Sequence, residues 1–175
     1  MPVAAQIVPT GVERQFGTEE IIVSKTDLKG HLTYANDVFI RVSGYEEHEL
    51  IGRPHSLIRH PDMPRAVFKL LWDTVESGRE IFAYVNNMSR NGDHYWVLAH
   101  VTPSFDGDGR IIGYHSNRRV PDRRAVDKIM PMYDMLRSAE QRHADRKDGL
   151  VASVAMLEGI LAKTGMSYHE WVWTL

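Results

Sequence analysis

Residues 59–62, in the first half of the chain, place three side chains with ionisable groups next to one another. Arg59, His60 and Asp62, with Pro61 between them, put two potential cations and one anion into four positions. A guanidinium pairs with two oxygens of a phosphate at once, so Arg59 suits a diphosphate group. His60 titrates near neutrality and can respond to charge on a nearby ligand. An Arg–Asp contact that only orders a surface loop explains the same residues.

A second group of candidates lies on segments whose polarity alternates along the chain. Asn87 falls on an otherwise apolar strand face, where an amide needs hydrogen-bond partners. Val97 and Ala99 share the apolar face of the next segment, and the small Ala99 leaves room beside it. These positions predict a dry slot for a ligand that carries an amide edge. A hydrogen bond from Asn87 to a neighbouring loop is the alternative.

Composition excludes several classes of protein. The 175 residues include 21 Lys and Arg and 23 Asp and Glu, a balance that argues against a nucleic-acid binder. The chain has no Cys, which rules out disulfides, thiolate metal sites and a thiol–flavin adduct. It has no apolar run of about 20 residues and no signal-peptide pattern near its start. We therefore expect a cytosolic protein without a membrane span.

Metal and enzyme signatures are also missing from the sequence. Nine His residues occur, but none shows the spacing of a zinc site. The glycine-rich nucleotide loops and the nucleophile elbow of hydrolases do not appear, so we expect no catalysis. A noncovalent haem with one axial His remains an alternative, with His60 and His115 as the candidate ligands.

The elements that must position these residues follow from turn and cap signals. Strands are predicted at 21–27, 31–36, 80–89, 94–105 and 110–120, with Asn91-Gly92 and Asp108-Gly109 as hairpin turns. Short helices are predicted between the second and third strands, the longest from Pro64 to Gly78. This order predicts an α+β fold, a five-stranded antiparallel sheet with helices over one face.

The two ends of the chain lie outside the predicted sheet and its covering helices. Residues 1–19 read as an N-terminal arm with a short helix, and residues 20–120 as the main domain. Residues 121–175 have the apolar spacing of amphipathic helices, which Pro131 should kink or interrupt. Such helices need a partner surface, which is the sheet, their own domain or a second copy of the chain.

Particular strings make this pattern resemble a known family. The plan of two strands, several short helices and a three-strand meander is that of a PAS domain. The strings RHPDMP and NGDHYW resemble the sensory PAS domain of bacterial aerotaxis receptors. The resemblance covers about residues 20–120 and fades beyond residue 121, so the function of a whole receptor is not carried over.

The resemblance implies FAD, held noncovalently and read out by its redox state. The family's flavin-binding positions correspond here to Asn36, Arg59, His60, Asp62, Phe68, Trp72 and Asn87. In flavin-binding light sensors of this fold, the position of His115 faces the ring, so His115 is expected to contact the flavin and exchange a proton on reduction. Those sensors attach a Cys to the ring, and this chain has no Cys.

The sequence therefore predicts a noncatalytic redox or oxygen sensor that acts in aerotaxis or related signal transduction. Its flanking segments favour a homodimer, and the resemblance suggests a chemotaxis receptor or a kinase as the signalling partner. Two rival readings stay open. One is a cofactor-free PAS module for dimerisation or docking, and the other is a sensor of haem or another small ligand.

Overall fold

Five strands form one antiparallel sheet in the computed structural model, which describes residues 7–175. They are β1 (Ile22–Thr26), β2 (Leu32–Ala35), β3 (Ile81–Met88), β4 (His94–Phe105) and β5 (Ile111–Arg119), in the spatial order β2-β1-β5-β4-β3. The predicted hairpins are present, and pairing of β1 with β5 joins them into one sheet. The α+β class and the five-stranded sheet predicted from sequence are confirmed.

Short helices connect β2 to β3 and cover one face of the sheet. They are α1 (Asp37–Ser43), α2 (Glu47–Leu50), a 3₁₀ turn (His55–Ile58) and α3 (Arg65–Glu76). The Asn36 side chain caps α1 by accepting a hydrogen bond from the Phe39 amide at 3.0 Å. Gly44, at φ 72°, ends the same helix in the left-handed conformation.

The two faces of the sheet pack against different helices. Val85 of β3 pairs with Val97 of β4, and this inner face lies under α3. Tyr84 and Trp96 alternate with these residues and therefore lie on the outer face. Burial on both faces explains why nearly every residue of β3 is buried.

The C-terminal segment packs on its own domain. It comprises α4 (Arg123–Gln141), α5 (Arg146–Thr164), α6 (Tyr168–Trp171) and a final 3₁₀ turn (Val172–Thr174). On α4, the Tyr133 ring stacks on Trp96 with centroids 6.3 Å apart, and its hydroxyl donates to the Tyr84 carbonyl at 2.7 Å. Helix α4 thus covers the outer face of the sheet, and α5 packs against both α4 and α3.

Pro131 does not interrupt α4, contrary to one of the outcomes predicted from sequence. The helix extends from Arg123 to Gln141 with Pro131 inside it. A proline ring removes the hydrogen bond to the carbonyl four residues earlier, here that of Asp127. Both residues are exposed, so water can reach that carbonyl and the helix continues.

The described part of the N-terminal arm is extended, and the short helix predicted there is absent from residues 7–19. Residues 1–6 lie outside the described residues. The arm follows the start of β4: the Arg14 amide donates to the His94 carbonyl at 2.7 Å, and the His94 amide donates to the Val12 carbonyl at 2.9 Å. The pairing of β4 with β5 begins only at Leu98, so the start of β4 has a free edge on that side. Backbone pairing with this edge decides the conformation of the arm.

Among residues 7–175, no single helix is long and apolar enough to span a membrane. Helix α5 and residues 168–174 meet the length and composition requirements only when taken together, across a bend of 69°.

The contact between β1 and β5 requires a glycine at position 113. A Cβ atom added to Gly113 would lie 2.3 Å from the Thr26 carbonyl oxygen. We expect Gly113→Ala to lower the stability by about 2 kcal/mol, which corresponds to about 6 °C in Tm for a chain of this size. Thermal unfolding followed by circular dichroism measures this.

Gly107→Ala is the matched control, because a Cβ at Gly107 would meet no atom within 4 Å. Equal Tm values for the two variants would show that the strands do not approach each other as closely as described.

Candidate functional site

A cavity of about 310 Å³ lies between α3 and the inner face of the sheet. Its volume is at the lower end of the roughly 300–1,000 Å³ of small-molecule sites. The residues that line it come from β1, the loop after it, the 3₁₀ turn, α3 and the last three strands: Ser24, Thr26, Lys29, Gly30, Pro54, His55, Ser56, Arg59, Phe68, Leu71, Trp72, Val85, Asn87, Ala99, Val101, Tyr114, His115, Ser116 and Arg118.

The walls of the cavity are apolar on two opposite sides. Phe68, Leu71 and Trp72 of α3 form one side, while Val85, Ala99 and Val101 of the sheet form the other. The Trp72 ring meets the Tyr114 ring edge-on, with centroids 5.3 Å apart. Two facing apolar walls make a slot suited to a flat ring system.

A buried cation stands at the polar end of the cavity. Arg118 of β5 is only 2% exposed, and its guanidinium lies 4.4 Å from the Phe39 ring centroid. Burial lowers the pKa of Arg118 to about 10, so it still carries its charge at neutral pH. Its Nε and Nη1 atoms have no hydrogen-bond partner among residues 7–175.

A hydrogen-bonded chain connects this cation to a neutral histidine. Arg118 Nη2 donates to Ser24 Oγ at 2.5 Å, and Ser24 Oγ lies 3.1 Å from His55 Nε2. Because a guanidinium has no acceptor, we assign the Ser24 hydroxyl proton to the bond with His55. Burial and the Arg118 charge lower the pKa of His55 to about 3. His55 is therefore neutral and carries its proton on Nδ1.

Arg59 and Asn87 lie together on another wall. Their backbones form an antiparallel bridge that ties the loop after the 3₁₀ turn to β3. The Arg59 guanidinium lies 3.7 Å from the centroid of the Phe68 ring. Burial lowers the pKa of Arg59, and the Glu140 carboxylate opposes that shift. Arg59 Nε and Asn87 Nδ2 are buried without a partner.

Unpartnered polar atoms concentrate in this cavity. Thr26, Arg59, Asn87 and Arg118 all contribute to its lining, and each has at least one buried side-chain atom without a hydrogen-bond partner. The cations among the lining residues are Lys29, Arg59 and Arg118, and the described lining includes no carboxylate. Buried polar groups normally have partners, so this arrangement suits a ligand with several acceptors and a partial or full negative charge.

The structure brings six of the ten candidate residues to this cavity. They are Arg59, Phe68, Trp72, Asn87, Ala99 and His115. Asn36 is instead occupied as a cap and a cross-link, since its amide also donates to the Ile21 carbonyl at 2.8 Å. Val97 is fully buried in the core beneath the cavity, where it pairs with Val85.

His60 and Asp62 lie outside the lining. The Asp62 amide donates to His60 Nδ1 at 3.2 Å, and the His60 ring packs edge-on against His94 with centroids 5.7 Å apart. Burial lowers the pKa of His60, and Asp62 opposes that shift. The Asp62 carboxylate is exposed and forms an ion pair with Arg137 of α4. These two residues therefore fasten the loop to neighbouring elements.

His115 borders the cavity, but its side chain belongs to the outer face of the sheet. It pairs with Thr102, whereas the cavity residue Val101 pairs with Ser116. The His115 ring also bonds to Asn117 Oδ1 at 3.0 Å, on the same outer face. The strand register therefore does not support the expected contact between the His115 ring and the flavin.

Sequence reasoning missed Ser24, His55 and Arg118. Placing His115 at the ring, as the resemblance implies, assigns the odd-numbered face of β5 to the cavity. Ser116 and Arg118 are on the even-numbered face, which the pairing of β5 with β1 and β4 turns inward. A period of two separates the faces of a strand without saying which is buried.

Comparisons with known proteins agree with this geometry. Residues 32–118 match the family model described as the PAS fold. The aerotaxis receptor of Escherichia coli is 43% identical over 115 residues, which make up 66% of this chain and 22% of the receptor. The biofilm dispersion protein BdlA of Pseudomonas aeruginosa is 25% identical over 133 residues, or 75% of this chain and 29% of that protein. The chain thus spans less than a third of the length of these relatives.

Solved structures give the same fold. The blue-light photoreceptor Aureochrome1 LOV domain, in its light state, superimposes with a TM-score of 0.56 at 22% identity, over 63% of this chain and 88% of that domain. At such identity the likeness concerns the fold alone. The matched family, the relatives and the sheet described above lead to one conclusion: this chain belongs to the PAS family, and its PAS domain is of the type found in the aerotaxis receptor.

Proposed function

We propose that the cavity binds FAD noncovalently and that the protein is a sensor of redox state or oxygen. The observation that carries this proposal is the set of unpartnered donors around an apolar slot. A flavin ring is flat, its two faces are apolar, and one edge carries several acceptors. Asn87 Nδ2 and the Arg118 guanidinium are free to donate to such an edge.

The charge of the lining supports a flavin over a neutral aromatic ligand. A bound flavin accepts electrons, and its reduced ring can carry negative charge. Arg118 and Arg59 hold positive charge in the cavity at neutral pH, and no lining carboxylate opposes it. His55 stays neutral and, through Ser24, keeps one Arg118 nitrogen occupied. The remaining Arg118 donors are free for the ligand.

The size of the cavity favours the flavin ring as the part of FAD held inside it. A volume of about 310 Å³ suits the ring and the start of its side chain, not a whole dinucleotide. The rest of the ligand must pass the exposed lining residues Lys29, Pro54 and Ser56. Lys29 is the cation at this mouth, and we propose that it faces the diphosphate.

The relatives support a signalling role. The aerotaxis receptor is 43% identical to this chain over 115 residues. The resemblance implies that the PAS domain reads the redox state of the flavin. A solved LOV structure with a flavin analogue shares the fold at 17% identity and a TM-score of 0.55. The absence of Cys removes the thiol adduct of such light sensors, so a redox readout is the fitting one. We further propose a homodimer and a receptor or kinase as partner.

A haem is less well supported than FAD. Its two candidate ligands, His60 and His115, do not turn their rings into the cavity. His55 reaches the cavity, but its Nε2 is already bonded to Ser24.

The visible spectrum of the freshly purified protein tests the proposal. We expect flavin absorbance, and we expect chromatography of the denatured extract to identify FAD. A colourless protein that takes up no added FAD would instead support the cofactor-free docking module. A Soret band would support haem.

Replacing Asn87 tests the polar edge. We expect Asn87→Ala to weaken FAD binding by about tenfold or more, because a buried donor to the ligand is lost. Fluorescence titration of the apoprotein with FAD measures the Kd. Asn86→Ala is the matched control: Asn86 is the adjacent amide, but it faces the other side of the sheet and contacts His94. Equal Kd values for the two variants would contradict the role of Asn87.

Replacing Arg118 tests the buried charge. A cation beside the ring favours the reduced, more negative flavin, so its loss should lower the midpoint potential. We expect Arg118→Met to shift the potential by about 30 mV or more in the negative direction, and Arg118→Lys to shift it much less. Spectroelectrochemical titration of the flavin-loaded variants provides the measurement. A potential that is the same in both variants would show that the charge does not reach the ring.

A further inference from the structure

Helix α3 begins without a cap of its own. The residue before it is Pro64, which makes no side-chain cap hydrogen bond, and its first turn contains no acidic residue. The first backbone N–H groups of a helix have no partner inside the helix and need one from elsewhere. The helix that covers the cavity therefore depends on another element for its N-terminus.

That partner is a carboxylate from α4. Glu140 Oε1 accepts hydrogen bonds from the Arg65 amide at 2.7 Å and from the Ala66 amide at 3.2 Å. Its second oxygen, Oε2, accepts from Arg65 Nε at 2.9 Å. Glu140 is only 9% exposed, so these bonds are formed largely away from water. A carboxylate at a helix N-terminus is stabilising there, because it also meets the positive end of the helix dipole.

A third helix joins at the same point. Arg65 Nη1 donates to the carbonyl of Arg146, the first residue of α5, at 2.7 Å. The backbones of α4 and α5 approach closely here, since a Cβ on Gly149 would lie 2.5 Å from the Glu140 carbonyl oxygen. We call Arg65, Glu140 and the Arg146 carbonyl the helix clasp.

The clasp lies at one end of the cavity wall. One turn after Arg65, Phe68 lines the cavity and stacks against Arg59. The charges of Glu140 and Arg65 act on Arg59 in opposite directions, so the clasp lies within electrostatic reach of the cavity. A ligand that displaces α3 also moves the Arg65 and Ala66 amides from which Glu140 accepts.

We propose that Glu140 couples the cavity to the C-terminal helices, so that ligand-driven changes in α3 alter the packing of α4 and α5. This rests on the proposed function for the ligand, but the coupling is a property of the helices themselves. Coupling between two sites is reciprocal, so opening the clasp must also weaken binding in the cavity. A clasp that only stabilises the fold would show neither effect.

Hydrogen exchange measured by mass spectrometry tests the coupling in the full chain. With FAD bound, we expect slower exchange in α3 and also in the first turn of α5, residues 146–150. In Glu140→Ala the protection of α3 should remain and that of α5 should disappear, while the Kd for FAD rises about fivefold. Glu140→Gln keeps an oxygen for the two amides but loses the charge. We therefore expect its Kd for FAD and its protection of α5 to lie between those of the wild type and Glu140→Ala.

Glu13→Gln is the matched control. Glu13 forms an ion pair with Arg123 at the other end of α4, with the closest atoms 2.8 Å apart. Its side chain makes no hydrogen bond or ion pair with α3 among the described residues. We expect this variant to show the same Kd for FAD and the same FAD-dependent protection of α5 as the wild type. FAD-dependent protection of α5 that survives in Glu140→Ala would overturn the proposal.

A second arm needs no ligand, so failure of the flavin proposal can be told apart from failure of the coupling. Trp72→Ala removes contacts of α3 on the cavity side. We expect it to speed exchange at residues 146–150 when Glu140 is present, and to have no such effect when it is combined with Glu140→Ala. If FAD does not bind at all, the flavin proposal fails and this arm alone decides the coupling. Additive effects of Trp72→Ala and Glu140→Ala on exchange in α5 would overturn it.

Discussion

The guanidinium of Arg118 is the constraint to which the rest of the site is arranged. Taking a charge out of water costs several kcal/mol unless the protein supplies partners. Here the partners are one hydroxyl, that of Ser24, and the face of Phe39. Two of its nitrogens still have none. A buried guanidinium with so few partners does not stabilise the fold by itself. It suits a cavity in which a bound ligand supplies the missing acceptors.

The neighbours of Arg118 follow from that charge. Burial, together with the nearby Arg118 charge, lowers the pKa of His55 and keeps it neutral, and its imidazole then accepts from Ser24. The apolar walls from α3 and the sheet lower the local polarity, which strengthens electrostatic interactions made inside the cavity. A ligand with a flat apolar body and a polar edge satisfies both requirements, which is why a flavin is the occupant we propose.

The sheet separates the cavity on its inner face from α4 on its outer face, and α3 contacts both. Its inner face borders the cavity and its outer face holds α4 through Tyr133 and Trp96. Helix α3 touches both layers, since it lines the cavity and takes its N-terminal cap from Glu140 of α4. The C-terminal helices are thus attached to the sensory domain through its ligand-covering helix as well as through the back of the sheet.

The sequence by itself determined the strands, the turns between them and the short helices between β2 and β3, because these depend on alternation and on residues with local conformational preferences. It also identified Arg59 and Asn87 as candidate site residues, because Arg59 lies in a charged loop and Asn87 lies on an apolar strand face. It did not determine that residues 7–19 would pair with β4, or that α4 would cover the outer face. Only the tertiary structure decided that Arg118, and not His115, faces the cavity, because the buried face of a strand is chosen by its pairing with distant strands. The cap that Glu140 gives to α3 is likewise a contact between residues 75 positions apart, which no local pattern encodes.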